Sequence, residues 1–560
     1  QAAGRSVPPR GPCDALVAMT GTPAQTSPVM SKQPTQGPDV RIGITPPISL
    51  QEPTELEVSL TERMMEELEA EFPVETEAGM KHRQSVLKEL ERVVMAWITE
   101  VGIEQGMPED EAKKFAPNTL VTLGSYRLGI VHPGSDIDTL CLGPPHVSRE
   151  AFFSSFVDRL KSHPDVTECV PIPDAYTPVV RFKMSEVSID LMIAKMMRPL
   201  HEFENLDEVV KDDEVLRNMD EKSVRCMNGY RVADQILQLV PSQETFRKTL
   251  RFVKCWARRR GIYSNVLGFF GGITWALLVA RVCQLYPHYA PSQLVNRFFR
   301  VYDQWSWSKP VMLCEIVDQV PGVTGFKVWN PKTNPADKQH VMPVITPAFP
   351  AMNSTHNVTE TTKRILLDEF RRGYDVVKSV EAQKSEWNEV HEPFPYFTQF
   401  KHFLWLEILA KTSEVYQKFS GWVESKLRLL LKQLEVTVEA SNGMAIHPNP
   451  EQYSLRGTDP EWQCGCGMFI ALVFFKDQGA FPGQQLDLRS SLIQFVDVVA
   501  QWPQKEMYAN QFLLRMKRIR TSDLPSYAIE AEAEKRRLRS QRVDGNPEAK
   551  KPRGANGSTG

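Results

Sequence analysis

No apolar run in the sequence is long enough to cross a membrane. The longest candidate, "ITWALLVARVCQLY", is cut by Arg281 after eight residues, well short of the roughly 18 that a spanning helix needs. It predicts a buried helix, and no membrane association is expected. An excess of one charge is also missing. The 66 Lys and Arg are balanced by 69 Asp and Glu, for a net charge of -3, which argues against a broad basic surface coating nucleic acid but leaves room for local basic clefts. Cysteine is sparse: nine, odd in number and scattered over 560 residues. That excludes a disulfide scaffold and points to a reducing compartment. The opening "QAAGRSVPPRGPCDALVAMTGTP" lacks the apolar core of a secretory signal. Cys464 and Cys466 have no second Cys or His pair at zinc-site spacing, so they read as structural thiols. The N-x-S/T matches at Asn353 and Asn357 then read as chance. What remains is an ordinary globular composition, 42% hydrophobic and 24% charged, long enough for about three or four domains.

Residues 1–40, rich in Pro, Gly, Ser and Thr without apolar period, have the composition of a disordered arm. Leu56, Leu60, Met64 and Leu68 predict an amphipathic helix over 53–72, able to pack on a neighbouring domain, and "QSVLKELERVVMAWITEVG" predicts a second, stopped by Gly102. Strands "NTLVTLG", "DIDTLCLG", "YTPVVRFKM" and "VSIDLMIA", with the helical "REAFFSSFVDRLKSH" among them, make residues 41–205 a mixed-sheet α/β unit. Residues 206–390 read as a helical unit under long Pro- and Trp-rich loops, closed by "NVTETTKRILLDEFRRGYDVV". Residues 391–525 carry strand "FKHFLWLEILA", a helix through Tyr416 to Leu434, strands "EVTVEA" and "MFIALVFF", helix "RSSLIQFVDVVAQW" and strand "QFLLRMKRI". That order is ferredoxin-like, a topology shared with RNA-recognition modules. Residues 526–560, with "EKRRLRSQR" and "KKPR", read as a charged basic tail suited to nuclear import or RNA contact. The expected fold class is therefore multidomain α+β.

The chemistry concentrates in "LGSYRLGIVHPGSDIDTLCLG". Side chains alternate across a strand, so Asp136 and Asp138 share one face while Ile137 points to the core. Two unpaired carboxylates side by side repel, and the pair makes sense chiefly around a divalent cation. Magnesium takes one or two carboxylates and fills its other positions with water and phosphate. Asp190, set in the apolar run "EVSIDLMIA", is a costly lone acid unless paired or metal-bound. Gly124 and Ser125 follow the strand "TLVTL", where glycine lets backbone N–H groups approach a phosphate and serine adds a donor. Further on, Phe246, Leu250, Val253 and Ala257 form an apolar stripe, and Arg247, Arg251, Lys254 and Arg258 form a basic one. The next segment, "GIYSNVLGFFGG", stops that helix at Gly261 and offers the Tyr263 phenol and Asn265 amide beside permissive glycines.

An apolar residue, Gly-Ser, a spacer, Asp-apolar-Asp and a later acid resemble the signature of the nucleotidyltransferase superfamily that includes DNA polymerase β. "GITPPISL", "GSYRLG", "GSDIDTL", "NGYRVADQIL", "RFVKCWARRRGIYSNVLGFFGGITWALLVARVCQLYP" and "VMPVITPAFPAMNSTHNVT" extend the match over roughly residues 42–500. In that order they are similar to the eukaryotic nuclear poly(A) polymerases. Leu123 stands where a phenylalanine is common in the family.

The resemblance implies a polymerase-β-like catalytic domain, a helical central domain and an RNA-recognition-like third domain. It implies an enzyme, a polynucleotide adenylyltransferase adding AMP from ATP to an RNA 3′ end without a template. Asp136, Asp138 and Asp190 would be catalytic and metal-binding, around two Mg2+ ions with Mn2+ as a substitute. Asp190 would take the proton of the attacking hydroxyl. Nucleotide contacts are implied at Leu123, Gly124, Ser125, His132, Asn228, Lys254, Tyr263, Asn265, Gly272 and Ile273. Lys254 and Tyr263 would meet the triphosphate, Asn228 and Asn265 the sugar or base, and Gly272 with Ile273 the adenine. A monomer in the nucleus, served by cleavage and polyadenylation proteins, is expected. Alternatives on the same core are a terminal uridylyltransferase or a tRNA-end nucleotide-adding enzyme. From another class comes a non-catalytic RNA-binding scaffold, against which the three intact acids speak.

Overall fold

The computed structural model describes residues 43–439, 444–455, 461–474 and 487–544. The arm expected over 1–40 and the "KKPR" cluster lie outside them.

Strands β1 (Leu120–Thr122), β2 (Ile137–Gly143), β3 (Val166–Ile172), β4 (Val179–Met184) and β5 (Val187–Lys195) form one mixed sheet in the order β1-β2-β5-β4-β3. Only β2 and β5 run parallel, and their register sets Asp138 beside Asp190. Ile137, Ile189 and Leu191 point to one face, which helix α2 (Glu77–Glu104) covers with the helical segment 149–162; the preceding helix α1 (Glu55–Glu71) contributes nothing to that cluster. Leu140, Leu142 and Ala194 point to the other, against the later helix Glu221–Leu239. β3 was not predicted: Glu168 and Pro171 interrupt its pattern, and its register slips between Thr167 and Val170. α2 also runs through Gly102 rather than stopping there, because this buried glycine packs against Ala112 and Met107.

Helix α1 leaves the sheet and joins the helical unit. Leu60, Met64 and Leu68 are buried in the core of the central helices, whereas Leu56, expected on the same stripe, is 51% exposed. Thr61 and Ser292 hydroxyls meet at 2.8 Å, and Arg251 and Arg259 donate to Glu69 and Glu71, each at 2.7 Å. The short α3 (Gly124–Leu128) follows β1, and α4 (Glu221–Leu239) leads into α5 (Gln243–Arg259), α6 (Gly272–Leu285), α7 (Pro291–Asp303) and α8 (Glu360–Glu381). The apolar "ITWALLVARVCQLY" is buried as α6, and among the described residues no helix is long and apolar enough to cross a membrane.

The last unit has strands β6 (His402–Ala410), β7 (Met444–Pro448), β8 (Tyr453–Ser454), β9 (Cys464–Phe474) and β10 (Phe512–Arg520). Its order β10-β6-β9-β7, all antiparallel, is the ferredoxin-like arrangement, with β8 added on β9. Helices α9 (Ser413–Glu439) and α10 (Arg489–Val499) cover one face. Of the strand expected at "EVTVEA", the described residues 435–439 are the end of α9. Leu430 and Leu434 stay buried at helical spacing and Glu435 accepts from the Thr359 hydroxyl at 2.5 Å, so packing overrides the β-branched composition. The basic tail likewise begins as a helix, α11 (Ser526–Asp544). It is seated on the sheet's other face by Tyr527 and Ala528, and Trp405 Nε1 donates to the Tyr527 hydroxyl at 3.0 Å.

Candidate active site

Strand alternation carries Asp138 and Asp190 to the same side of adjacent parallel strands, and Asp136 enters just ahead of β2. One oxygen from each carboxylate lies within 4.8 Å of the others. Burial, then the charges of Asp136 and Asp190, push the Asp138 carboxyl up to about 6. Burial also raises Asp190, while Arg181, whose Nε is 3.2 Å from Asp190 Oδ2, pulls it back. Asp138 and Asp190, both half-buried and both raised, are matched by a divalent cation. Gly124 makes the room: a Cβ there would lie 2.1 Å from Asp138 Oδ2, and its φ of +55° suits glycine. The residues present therefore fit a divalent metal ion.

Helix α3 is held from two sides. Leu123 N–H donates to Asp138 O at 2.8 Å, and Arg127 forks onto Asp234 of α4 at 2.5 and 2.7 Å. Arg247 Nε of α5 donates to Leu128 O at 2.9 Å. The basic stripe of α5 is thus largely structural at its first half, with Arg251 bonded to Glu69 and Phe72 O.

The second half faces the acids. Lys254 is half-buried, and desolvation lowers its ammonium to about 8 with help from Arg258, while Asp138 and Asp136 oppose the shift. Its Nζ lies 5.9 Å and the Arg258 guanidinium 5.0 Å from the Tyr263 ring centroid. Burial raises the Tyr263 phenol, and its hydroxyl sits 2.6 Å from where a Gly272 Cβ would be, at the start of α6. Ile273 follows on that helix. Asn265 accepts from Asn357 Nδ2 at 3.0 Å, so its carbonyl oxygen is engaged within the fold. Asn228 is buried on α4, its Oδ1 without a hydrogen-bond partner and its Nδ2 3.5 Å from Pro350 O. Asn228 and Asn265 thus both bond to the loop that leads into α8, at Pro350 and Asn357.

A cleft of about 580 Å³ opens beside the acids, lined by Ser125, His132, Asp136 and Asp190 on one side. Residues the sequence reading missed complete it: Glu168, Arg181 and Lys183 from the sheet, and Gln417, Ser420 and Glu424 from α9. Arg181 and Lys183 had a signal, as cations alternating with apolar residues along "VVRFKM". The α9 residues had none, because they arrive by tertiary packing.

A mixed sheet that gathers three carboxylates beside a Gly-Ser turn is the architecture of the nucleotidyltransferase class. Three family models match in succession: the poly(A) polymerase nucleotidyltransferase domain over residues 43–240, the poly(A) polymerase central domain over 245–393, and the poly(A) polymerase predicted RNA binding domain over 395–459. The chain is 41% identical over 397 residues to poly(A) polymerase PAPa of Candida albicans, covering 70% of each chain. It is 42% identical over 461 residues to nuclear poly(A) polymerase 1 of Arabidopsis thaliana, covering 82% of this chain and 63% of that one. The chain belongs to the poly(A) polymerase family. It spans about three fifths of the length of several curated relatives it matches, including that of Dictyostelium discoideum at 38% identity over 87% of this chain and 59% of the relative. Among solved structures, a cytoplasmic RNA terminal U-transferase aligns with 60% of this chain and 99% of its own at 14% identity and a TM-score of 0.41, too slight a likeness to bear on function.

Proposed function

We propose that the chain is a template-independent polynucleotide adenylyltransferase that adds AMP from ATP to the 3′-hydroxyl of RNA and releases pyrophosphate. The observation that carries this reading is the convergence of Asp136, Asp138 and Asp190 within 4.8 Å, beside half-buried Lys254, in a member of the poly(A) polymerase family. Asp136, Asp138 and Asp190 would hold two Mg2+ ions, with Mn2+ as a substitute; bound there, such ions neutralise charge on the attacking and leaving oxygens of an in-line displacement.

The chain's own residues do the rest. Asp190, on the cleft side of the triad, accepts the proton of the attacking hydroxyl. Lys254 and Tyr263 bind the triphosphate, with Leu123, Gly124 and Ser125 shaping the turn against it. Asn228 and Asn265 meet the sugar or base, and Gly272 with Ile273 the adenine. The cleft between β3–β5 and α9 receives the RNA 3′ end. In this reading 41–205 is the catalytic unit, 206–390 the central nucleotide- and RNA-binding unit, and 391–525 the RNA-recognition-like unit. The protein works as a monomer in the nucleus, brought to its transcripts by cleavage and polyadenylation proteins.

Incubating an oligoadenylate primer with each of the four NTPs, with and without chelator, tests the reading. Metal-dependent extension by ATP supports it; preferential extension by UTP or CTP overturns it in favour of another RNA nucleotidyltransferase.

A further inference from the structure

His132 stands at the start of a tight turn. Its N–H donates to Ser135 Oγ at 3.0 Å, and Ser135 N–H donates back to His132 O at 3.1 Å. Arg83, itself paired with Glu75 at 2.9 Å and buried, donates to Ser135 O at 2.7 Å and fixes the turn from below. The ring bridges two partners of opposite character. Nδ1 lies 3.0 Å from Pro133 O and Nε2 lies 2.9 Å from Arg258 Nη1. A carbonyl oxygen only accepts and a guanidinium only donates, so Nδ1 carries the hydrogen and Nε2 is a bare acceptor. The ring is neutral, in one tautomer.

This bond joins a turn of the catalytic sheet to helix α5, at the mouth of the cleft that both side chains line. Arg258 also meets the Tyr263 hydroxyl, and the His132 bond adds a second hold on its long stem; fixing such a side chain in advance removes an entropy loss from ligand binding. Tethered, its guanidinium stands over Tyr263 beside Lys254. We propose that His132 is a positioning residue that holds Arg258 over Tyr263, and so prepares the cation pair Arg258 and Lys254 for a nucleoside triphosphate. This rests on the adenylyl-transfer reading above and assigns His132 an action through Arg258. The charged groups facing the ring are Arg258, Lys254 and Asp136, and burial with the two cations keeps it neutral.

Two readouts test the tether. Ring-nitrogen NMR on 15N-histidine protein, with His132 assigned by difference from His132→Gln, needs no substrate: Nδ1–H in the wild type, shifting toward Nε2–H in Arg258→Ala, is expected. In primer extension, His132→Phe should raise the KM for ATP about three- to tenfold with kcat within about twofold. His132→Gln, which keeps an acceptor, should recover most of the loss, and His132→Phe with Arg258→Ala should be no worse than Arg258→Ala alone. A wild-type ring protonated at Nε2, or an unmoved KM in His132→Phe on an active wild type, overturns the tether. A wild type that extends no primer with ATP overturns the adenylyl-transfer reading instead, and leaves the tautomer to decide the tether.

Discussion

Gly124 and Asp138 are fitted to each other: a Cβ on the glycine would stand 2.1 Å from the carboxylate's Oδ2. Replacing Gly124 by Ala must therefore displace Asp138, and the positive φ adds about 1 kcal/mol or more of backbone strain. Isothermal titration with Mn2+ should show affinity reduced by about tenfold or more, and thermal unfolding should show a lower Tm.

Asp138 carries a pH dependence of the metal-free protein. Its folded-state value of about 6 lies above the ordinary carboxylate range, so the folded protein holds this proton more tightly than the unfolded chain. Stability from this group is complete below pH 4 and is lost as pH rises through 6. Asp138→Asn should raise the Tm of metal-free protein at pH 7.5 by on the order of 2 °C and leave it unchanged at pH 4. Metal affinity of the wild type should run the other way and fall below pH 6, because a proton competes with the cation.

Arg260 and Glu369 form a buried fork, Nε and Nη2 each 2.8 Å from a carboxylate oxygen, with Arg260 Nη1 donating to Glu392 O at 2.7 Å. Arg260→Met leaves Glu369 buried without its partner, at a cost of about 3–5 kcal/mol. Arg260→Met with Glu369→Leu should recover much of that. Urea unfolding of the three proteins measures both.

His447 is packed against Phe394 and Phe400, ring centroids 5.0 Å away in each case. Burial, with a contribution from Arg260, lowers its imidazole to about 3. The unfolded chain takes up this proton near the ordinary histidine value, so stability is lost as pH falls from about 6.5 toward 3. His447→Phe should lower the midpoint of acid unfolding, followed by tryptophan fluorescence, by on the order of half a pH unit.

Much of the site was legible because strand geometry is local. Alternation alone put Asp136 and Asp138 on one side with Ile137 in the core, where it is fully buried. Asp190 announced itself as an acid among apolar neighbours, although only the parallel β2–β5 register sets it against Asp138. The helical stripe of α5 read correctly as apolar, but its basic stripe concealed a division of labour. Arg247 and Arg251 tie elements together, and Lys254 and Arg258 face the acids. The errors fall where distant packing decides: the β-branched residues 435–439 stay helical against Thr359, and the charged tail starts as a helix because Tyr527 docks on Trp405. Contacts such as Glu424 across the cleft from Arg181 leave no local pattern at all.

The most direct test of the central claim compares wild type with Asp138→Ala in Mg2+-dependent extension of an oligoadenylate primer by ATP. Folding of the variant is verified by its unfolding transition. The account predicts a loss of at least about a hundredfold, since removing even an indirect support of a metal ligand costs about 10- to 100-fold and Asp138 is itself a ligand. Extension at the wild-type rate would contradict it.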